Sequence, residues 1–170
     1  MNIYVYGDQS EAVVRGCIEA VHEANIIQEV LACATDLAIA PLLRRKISPE
    51  ELRFPRIGTL IFHPSLLPVH RGRDAIRWAF HNHERYSGAT WFWADDGYDT
   101  GDICEQEVLL IQSGERPRRF YERAVIPCAI RMLRFILQDL QAGIVRRRPQ
   151  LQENSTYEAP FSEMPRRVSW

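Results

Sequence analysis

An α/β fold, a mostly parallel sheet flanked by helices, is what this sequence predicts, and three observations predict it. Short apolar runs rich in β-branched and aromatic residues, Ile57 to Phe62 and Thr90 to Ala94, read as buried strands. Between such runs lie stretches whose apolar residues recur every three or four positions, the period of a helix packed on one side. The first of these runs is stopped by prolines, Pro64 and Pro68, and the second empties into a glycine-containing loop, so each ends as a discrete strand.

In chain order, Met1 to Gly7 reads as the first strand, and Ser10 is positioned to cap a helix through His22, with Val13, Val14, Cys17, Ile18 and Val21 on its buried face. Gly7 stands alone, so the Gly-x-Gly-x-x-Gly dinucleotide fingerprint is absent and no nicotinamide cofactor is expected. A short bridge from Asn25 to Thr35 leads to a strand at Asp36 to Pro41. Ile57 to Phe62 follows, then a helix from Arg73 to Glu84 and the run at Thr90 to Ala94. The last helix runs from Arg116 to Ala142, with Tyr121, Val125, Cys128, Met132, Ile136 and Leu140 as its stripe. Pro127 should kink it or loosen one turn, and Gly143 ends it.

Chemistry concentrates where two of these strands stop. His63 follows Ile57 to Phe62 directly, and Pro64 and Pro68 forbid the strand from continuing. The second run empties into Asp95-Asp96-Gly97-Tyr98-Asp99-Thr100-Gly101-Asp102, an acidic loop with glycines that let main chain approach a ligand. A histidine and a carboxylate at two strand ends suit proton transfer and stabilisation of a tetrahedral intermediate. Strand ends of open α/β sheets are also where ligands bind. Ser65 lies outside any Gly-x-Ser-x-Gly elbow and is not read as a nucleophile.

The segment His63-Pro-Ser-Leu-Leu-Pro, with Arg71-Gly72, Ala75-Ile76-Arg77-Trp78-Ala79, Gly88-Ala89-Thr90 and Asp99-Thr100-Gly101-Asp102, resembles the folate-dependent formyltransferase family. Trp93-Ala94-Asp95-Asp96-Gly97 is most similar to its variant in the hydrolase domain of 10-formyltetrahydrofolate dehydrogenases. The likeness runs from residue 36 to 158. It implies a truncated Rossmann-like formyltransferase fold, catalytic roles for His63 and Asp99, and 10-formyltetrahydrofolate as formyl donor without a metal. It further implies that the pterin meets backbone groups of Arg45, Lys46 and Ile47 and of Asp95, Asp96 and Gly97. The basic Arg44-Arg45-Lys46 could also attract the glutamate tail of folate.

Two departures from the family stand out. Its transferases usually carry an asparagine two residues before the histidine, a donor to the developing oxyanion, whereas this chain has Ile61, as the similar hydrolase domain does. Losing such a donor costs two to three orders of magnitude, by order of magnitude. The half before His63 is also short, as though a strand-helix-strand section were missing, and no barrel-like domain of the kind found in methionyl-tRNA formyltransferases is expected.

The 170 residues, 46% of them hydrophobic, suit a single domain over 1–170: a shortened amino-terminal part at 1–35, a catalytic core at 36–145 and a tail at 146–170. A formal net charge of −1 argues against a nucleic-acid footprint. Arg146-Arg147-Arg148 and Arg166-Arg167 read as solvated ends, favoured by the helix dipole. Cys17, Cys33, Cys104 and Cys128 form no Cys-x-x-Cys pair and read as reduced thiols, consistent with a cytoplasmic setting; neither signal peptide nor membrane span is expected. His81 and His83 are read as solvated rather than metal-binding. The functions in view are formyl transfer or hydrolysis through the His63/Asp99 pair, N-formylation of a small amine such as an amino sugar, and folate binding by a weakened enzyme. The expected partners are folate and an amine acceptor, with no nucleic acid and no membrane; homo-oligomerisation is left open.

Overall fold

Six strands form one sheet in the order β2-β1-β3-β4-β6-β7. They are β1 (Asn2–Val5), β2 (Ile27–Glu29), β3 (Leu37–Ala40), β4 (Gly58–His63), β6 (Tyr86–Trp93) and β7 (Ile103–Leu110). β2, β1, β3 and β4 pair in parallel, while β6 is antiparallel to β4 and β7 antiparallel to β6. The sheet is thus mostly parallel with a reversed strand inside one edge. The structure is a computed structural model that describes residues 1–29 and 35–163. The middle of the Asn25 to Thr35 bridge, Cys33 and the Arg166-Arg167 pair lie outside the described residues; within the bridge, Ile27–Glu29 adds β2 beside β1.

Alternation along each strand divides the residues between two faces. Ile3 and Val5, Leu37 and Ile39, Leu60 and Phe62, and Trp91 and Trp93 join one large core, against α1 (Ala12–Glu23) and the last helix. The intervening residues, Tyr6, Ala38, Ala40, Ile61 and Phe92, belong to two smaller clusters on the other side, where Ile47 and Leu67 cover them from loops. The helix-covered face supplies the larger core, and the loop-covered face leaves room for a cleft. Gly16 lets α1 and the last helix touch, since a Cβ there would stand 2.1 Å from Cδ1 of Ile130.

Local structure departs from the sequence reading where tertiary contacts compete. Ser10 does not cap α1: Glu11 occupies that position without a side-chain cap, and Ser10 instead donates its N–H to Asp8 Oδ1 at 2.8 Å. The second helix, α2 (Ala75–His81), is shorter than Arg73 to Glu84. Arg71–Gly72 is drawn into a two-residue strand, β5, parallel to β8 (Tyr157–Glu158), and Asp74 and His83 take left-handed conformations at either end of the helix. His81 is not simply solvated, because its ring packs against Trp78 and Phe161. The last helix comprises α3 (Pro117–Phe120), a π-helical turn at Tyr121–Val125, and α4 (Ile126–Gln141). Pro127 cannot donate to the carbonyl four residues back, and the wide turn precedes it.

Residues 146–163 are stitched to the body rather than trailing from it. Arg148 bridges Ile103 through both main-chain groups, Arg146 pairs with Glu105 and Asp139, and the Arg147 guanidinium lies 4.2 Å from the Trp93 ring centroid. Cys17, Cys104 and Cys128 are buried free thiols, each pushed up to about 12 by burial. Among the described residues no helix is long and apolar enough to cross a membrane.

Trp91 ties the sheet to the helical layer, being fully buried with its indole N–H donated to the Ala129 carbonyl at 2.9 Å. Trp91→Ala should therefore lower unfolding free energy by about 3–5 kcal/mol in urea titration. A loss below ~1 kcal/mol would show that the helical layer closes over the gap.

Candidate active site

His63 ends β4 on the loop-covered face, two residues beyond Ile61 and on the same side of the strand. Its ring is 7% exposed, and Nε2 meets the His70 carbonyl at 2.7 Å. A carbonyl only accepts, so Nε2 carries a proton and Nδ1 is the nitrogen left to exchange one. Nδ1 faces Asp99 Oδ2 across 3.7 Å, too far for a direct hydrogen bond.

The loop after His63, which carries the His70 carbonyl, is tied down by several contacts. The Thr90 hydroxyl, opposite His63 in the β4/β6 register, donates to the Ser65 carbonyl at 2.7 Å, and the Gln106 amide donates to Leu67 O and Thr90 Oγ1, each at 2.9 Å. Ser65 spends its hydroxyl on the Val69 carbonyl at 2.6 Å, a structural role. His70 is 4% exposed and set between two carboxylates, Nδ1 to Glu158 at 3.1 Å and Nε2 to Glu84 at 2.8 Å.

The site does not lie between two strand ends, as the sequence suggested. β6 runs antiparallel, so Trp93 pairs with Leu60 and the chain leaves β6 three residues short of His63. Residues 94–102 fold back over the sheet face, and Asp99 regains the level of His63 with φ +56°, a left-handed conformation costing about 1–2 kcal/mol. Asp99 Oδ2 accepts the Gly72 N–H at 2.8 Å. Asp95 staples the loop start, accepting from Gly97 N at 3.0 Å and from the Thr100 hydroxyl at 2.7 Å. Gly101 passes so close to β6 that a Cβ would stand 1.7 Å from the Trp93 carbonyl oxygen.

A cleft of about 1250 Å³ opens over this face, floored by Ile61 and Phe92 and bordered by His63 and Asp99. Arg45, Lys46, Ile47, Asp95 and Gly97 line it; Asp96 does not, and its carbonyl instead accepts from Lys46 Nζ, which also lies 4.8 Å from the Tyr98 ring centroid. Lys46 thereby links the two rims expected to hold the pterin. Arg73 and Arg116 line the cleft with no carboxylate partner among the described residues. No group of three or more His, Cys, Asp or Glu side chains that could hold a metal is found among those residues.

Sequence reasoning missed four contributors: Gly72, His70, Arg71 and Gln150. Arg71 is 6% exposed and meets Gln150 Oε1 and Gln152 Oε1, while Gln150 Nε2 donates to the Asp99 and Gly101 carbonyls. Their partners lie far away in the chain, so no local spacing announces them. The Arg71-Gly72 pair stood out only as part of the motif.

A β4 histidine and an αL aspartate thus face each other at one cleft, on a mostly parallel sheet. The chain belongs to the formyl transferase family, whose defining pattern matches residues 17–127. Cytosolic 10-formyltetrahydrofolate dehydrogenase of Mus musculus is 33% identical over 146 residues, covering 86% of this chain and 16% of that protein. The chain thus spans a small part of the length of that relative. Among solved structures, HypX from Aquifex aeolicus in complex with tetrahydrofolic acid superimposes with a TM-score of 0.75 at 23% identity, covering 92% of this chain and 29% of the other. The formyltransferase PseJ from Anoxybacillus kamchatkensis, in complex with a UDP-linked formamido sugar and tetrahydrofolate, gives 0.77 at 21% identity, covering 93% and 85%. The Rossmann-like formyltransferase fold is thereby shown.

The cleft rim carries a titrating pair of its own. The Arg45 guanidinium grips both oxygens of Glu51, and with the Ser48 N–H it holds that carboxyl down to about 2. A folded-state value below the unfolded 4.5 gives stability that is present above pH 4.5 and lost as pH falls toward 2. Glu51→Gln should flatten the stability profile between those limits, by no more than about 1 kcal/mol for so exposed a pair. Identical acid profiles for the two proteins would show that the pair does not persist in solution.

Proposed function

We propose that this chain takes 10-formyltetrahydrofolate as formyl donor and cleaves it by attack of water on the formyl carbon. The observation that carries this reading is the separation of His63 Nδ1 from Asp99 Oδ2, 3.7 Å, at the cleft wall. An oxygen about 2.8 Å from each atom would hydrogen-bond to both, donating to the carboxylate and meeting the ring nitrogen. That is the placement a nucleophilic water needs. Asp99 takes one of its protons, and His63, fixed by the His70 carbonyl, holds at Nδ1 a proton that it can give. As the water oxygen bonds to the formyl carbon, charge grows on the formyl oxygen, and the imidazole in its protonated form offsets it. The oxygen's electron pair re-forms the carbonyl as the bond to nitrogen breaks, the nitrogen takes the Nδ1 proton, Asp99 returns its proton to the ring, the formic acid gives its own to solvent, and formate and tetrahydrofolate leave.

The cleft residues fit such a donor. Ile47, Ile61 and Phe92 offer apolar surface for a flat bicycle, and 1250 Å³ exceeds the roughly 300–1,000 Å³ typical of small-molecule sites, leaving space for a further chain or acceptor. The backbone of Arg45 to Ile47 and of Asp95 to Gly97 would border the pterin, with the Lys46 contact to Asp96 O closing the rim. A second reading, transfer to a small amine, is favoured by Arg73 and Arg116, cations with no carboxylate partner among the described residues that suit an acceptor bearing an anionic group. PseJ and HypX, seen with tetrahydrofolate ligands, support the donor assignment by analogy of fold alone.

Calorimetric titration with 5-formyltetrahydrofolate should show one-to-one binding, and absence of heat at millimolar ligand would end the folate reading. With 10-formyltetrahydrofolate, formate release should fall by about two to four orders of magnitude in His63→Ala and in Asp99→Ala, with the fold retained. Near-native rates in either folded variant would remove that residue from the chemistry. Mass spectrometry of reactions with and without a panel of amines separates water from amine as acceptor.

A further inference from the structure

We infer that Gln150 is a positioning residue for Asp99: its amide, oriented by the buried Arg71, holds the Asp99 main chain in the conformation that points the carboxylate at His63. The inference rests on the reading of His63 and Asp99 as the reacting pair. Gln150 lies 51 residues beyond Asp99, does not line the cleft, and is 7% exposed.

The amide orientation follows from chemistry. Arg71 can only donate, and its Nε and Nη2 approach Gln150 Oε1 at 3.1 and 2.7 Å. The other end of the amide must then be the NH₂ group. It donates to two carbonyls of the returning loop, Asp99 O at 2.9 Å and Gly101 O at 2.7 Å. Arg71 thus sets which way Gln150 faces, and Gln150 sets where residues 99–101 lie.

Asp99 needs such a hold because its backbone is left-handed at φ +56°. Strained conformations of this kind persist only where the surroundings over-determine them. Three contacts do so here: Gln150 on the Asp99 carbonyl, Gln150 on the Gly101 carbonyl, and the Gly72 N–H on Asp99 Oδ2 at 2.8 Å. Gly72 directly follows Arg71, so one dipeptide controls both ends of the residue, the carboxylate directly and the carbonyl through Gln150. Arg71 is itself informative. It is buried without a carboxylate partner among the described residues and rests on two glutamine oxygens, Gln150 and Gln152 at 2.9 Å. A glutamate at 150 would pair with it more strongly. That residue, however, would present an oxygen instead of NH₂ to the Asp99 and Gly101 carbonyls. The neutral amide is the side chain of that length that accepts on one side and donates on the other.

Gln150→Glu tests this, because it keeps the length and the Arg71 contact while removing only the donors to the loop. The readout is the pair of His63 ring ¹⁵N resonances, assigned by comparison with His63→Gln. The Nδ1 resonance, facing Asp99, should move in the Gln150→Glu protein, while the Nε2 resonance, bonded to the His70 carbonyl, stays. Formate release from 10-formyltetrahydrofolate should fall by about tenfold to a hundredfold through kcat, with folate affinity unchanged. Gln150→Asn, whose shorter amide cannot span both sides, should behave alike. Unchanged His63 resonances in a folded Gln150→Glu protein overturn the proposal. Failure of both variants to fold overturns it too, since the amide then serves stability rather than position. If the unaltered protein neither binds nor cleaves the formyl donor, the functional reading falls, and the resonances still decide whether Gln150 places Asp99.

Discussion

One reversal of direction shapes the site: β6 runs antiparallel to β4, with Trp93 opposite Leu60 and Thr90 opposite His63. The chain therefore leaves β6 below the level of the histidine and must climb back across the sheet face before Asp99 can meet it. A climbing loop of nine residues, 94–102, has too few apolar groups to hold itself down, so polar contacts do the work. Asp95 staples its start, Gly101 lets it press against the Trp93 carbonyl, and Trp93 N–H takes the Asp102 carbonyl at 2.8 Å. The same return creates the cleft. Because the loop crosses the face opposite α1 and the last helix, Ile61 and Phe92 remain as its floor.

The second support comes from the far end of the chain. Thr156 accepts the His70 N–H at its hydroxyl and donates its own N–H to the Pro68 carbonyl, Glu158 pairs with the His70 ring, and Ala159 accepts the Trp78 indole N–H. These contacts bracket the loop after His63, whose His70 carbonyl decides which imidazole nitrogen is free. Residues 150–159 thus act on both members of the pair, on His63 through His70 and on Asp99 through Gln150. A segment that reads as a tail is structurally a brace. His70, its ring held by Glu84 and Glu158, belongs to the brace.

The sequence discloses what is local. His63 and Asp99 were legible because each stands where breakers stop an apolar run, and the loosened turn before Pro127 follows from one missing N–H. The α/β class was legible because strand and helix periods differ. Strand direction was not: nothing in Thr90 to Ala94 says which way the run points, and with it went the location of the site. The roles of Gly72, Arg71, His70 and Gln150 were hidden for a related reason. Their contacts join residues 7 to 88 positions apart, all but one of them 14 or more, and a histidine between two glutamates carries no spacing that marks it. Ser10 fails as a cap because α1 begins at Ala12, which puts Glu11 rather than Ser10 in the capping position.

Ile61 completes the physical picture of the site. It faces the cleft on the same side of β4 as His63 and pairs across the strands with Phe92, so the position where transferases carry an amide is here part of an apolar floor. An apolar floor removes a donor, yet it also excludes water from one side of the His63 and Asp99 pair and lowers the local dielectric, which strengthens every charge interaction that remains. In the proposed reaction, with no amide at this position, the stabilisation of the formyl oxygen would fall on His63. That makes the geometry of the histidine decisive, and it gives a physical reason for the effort spent around it: a carbonyl that fixes one ring nitrogen, a carboxylate set opposite the other, and a brace from the end of the chain that holds both. A site of this kind depends on the placement of two side chains more than on the number of donors it presents.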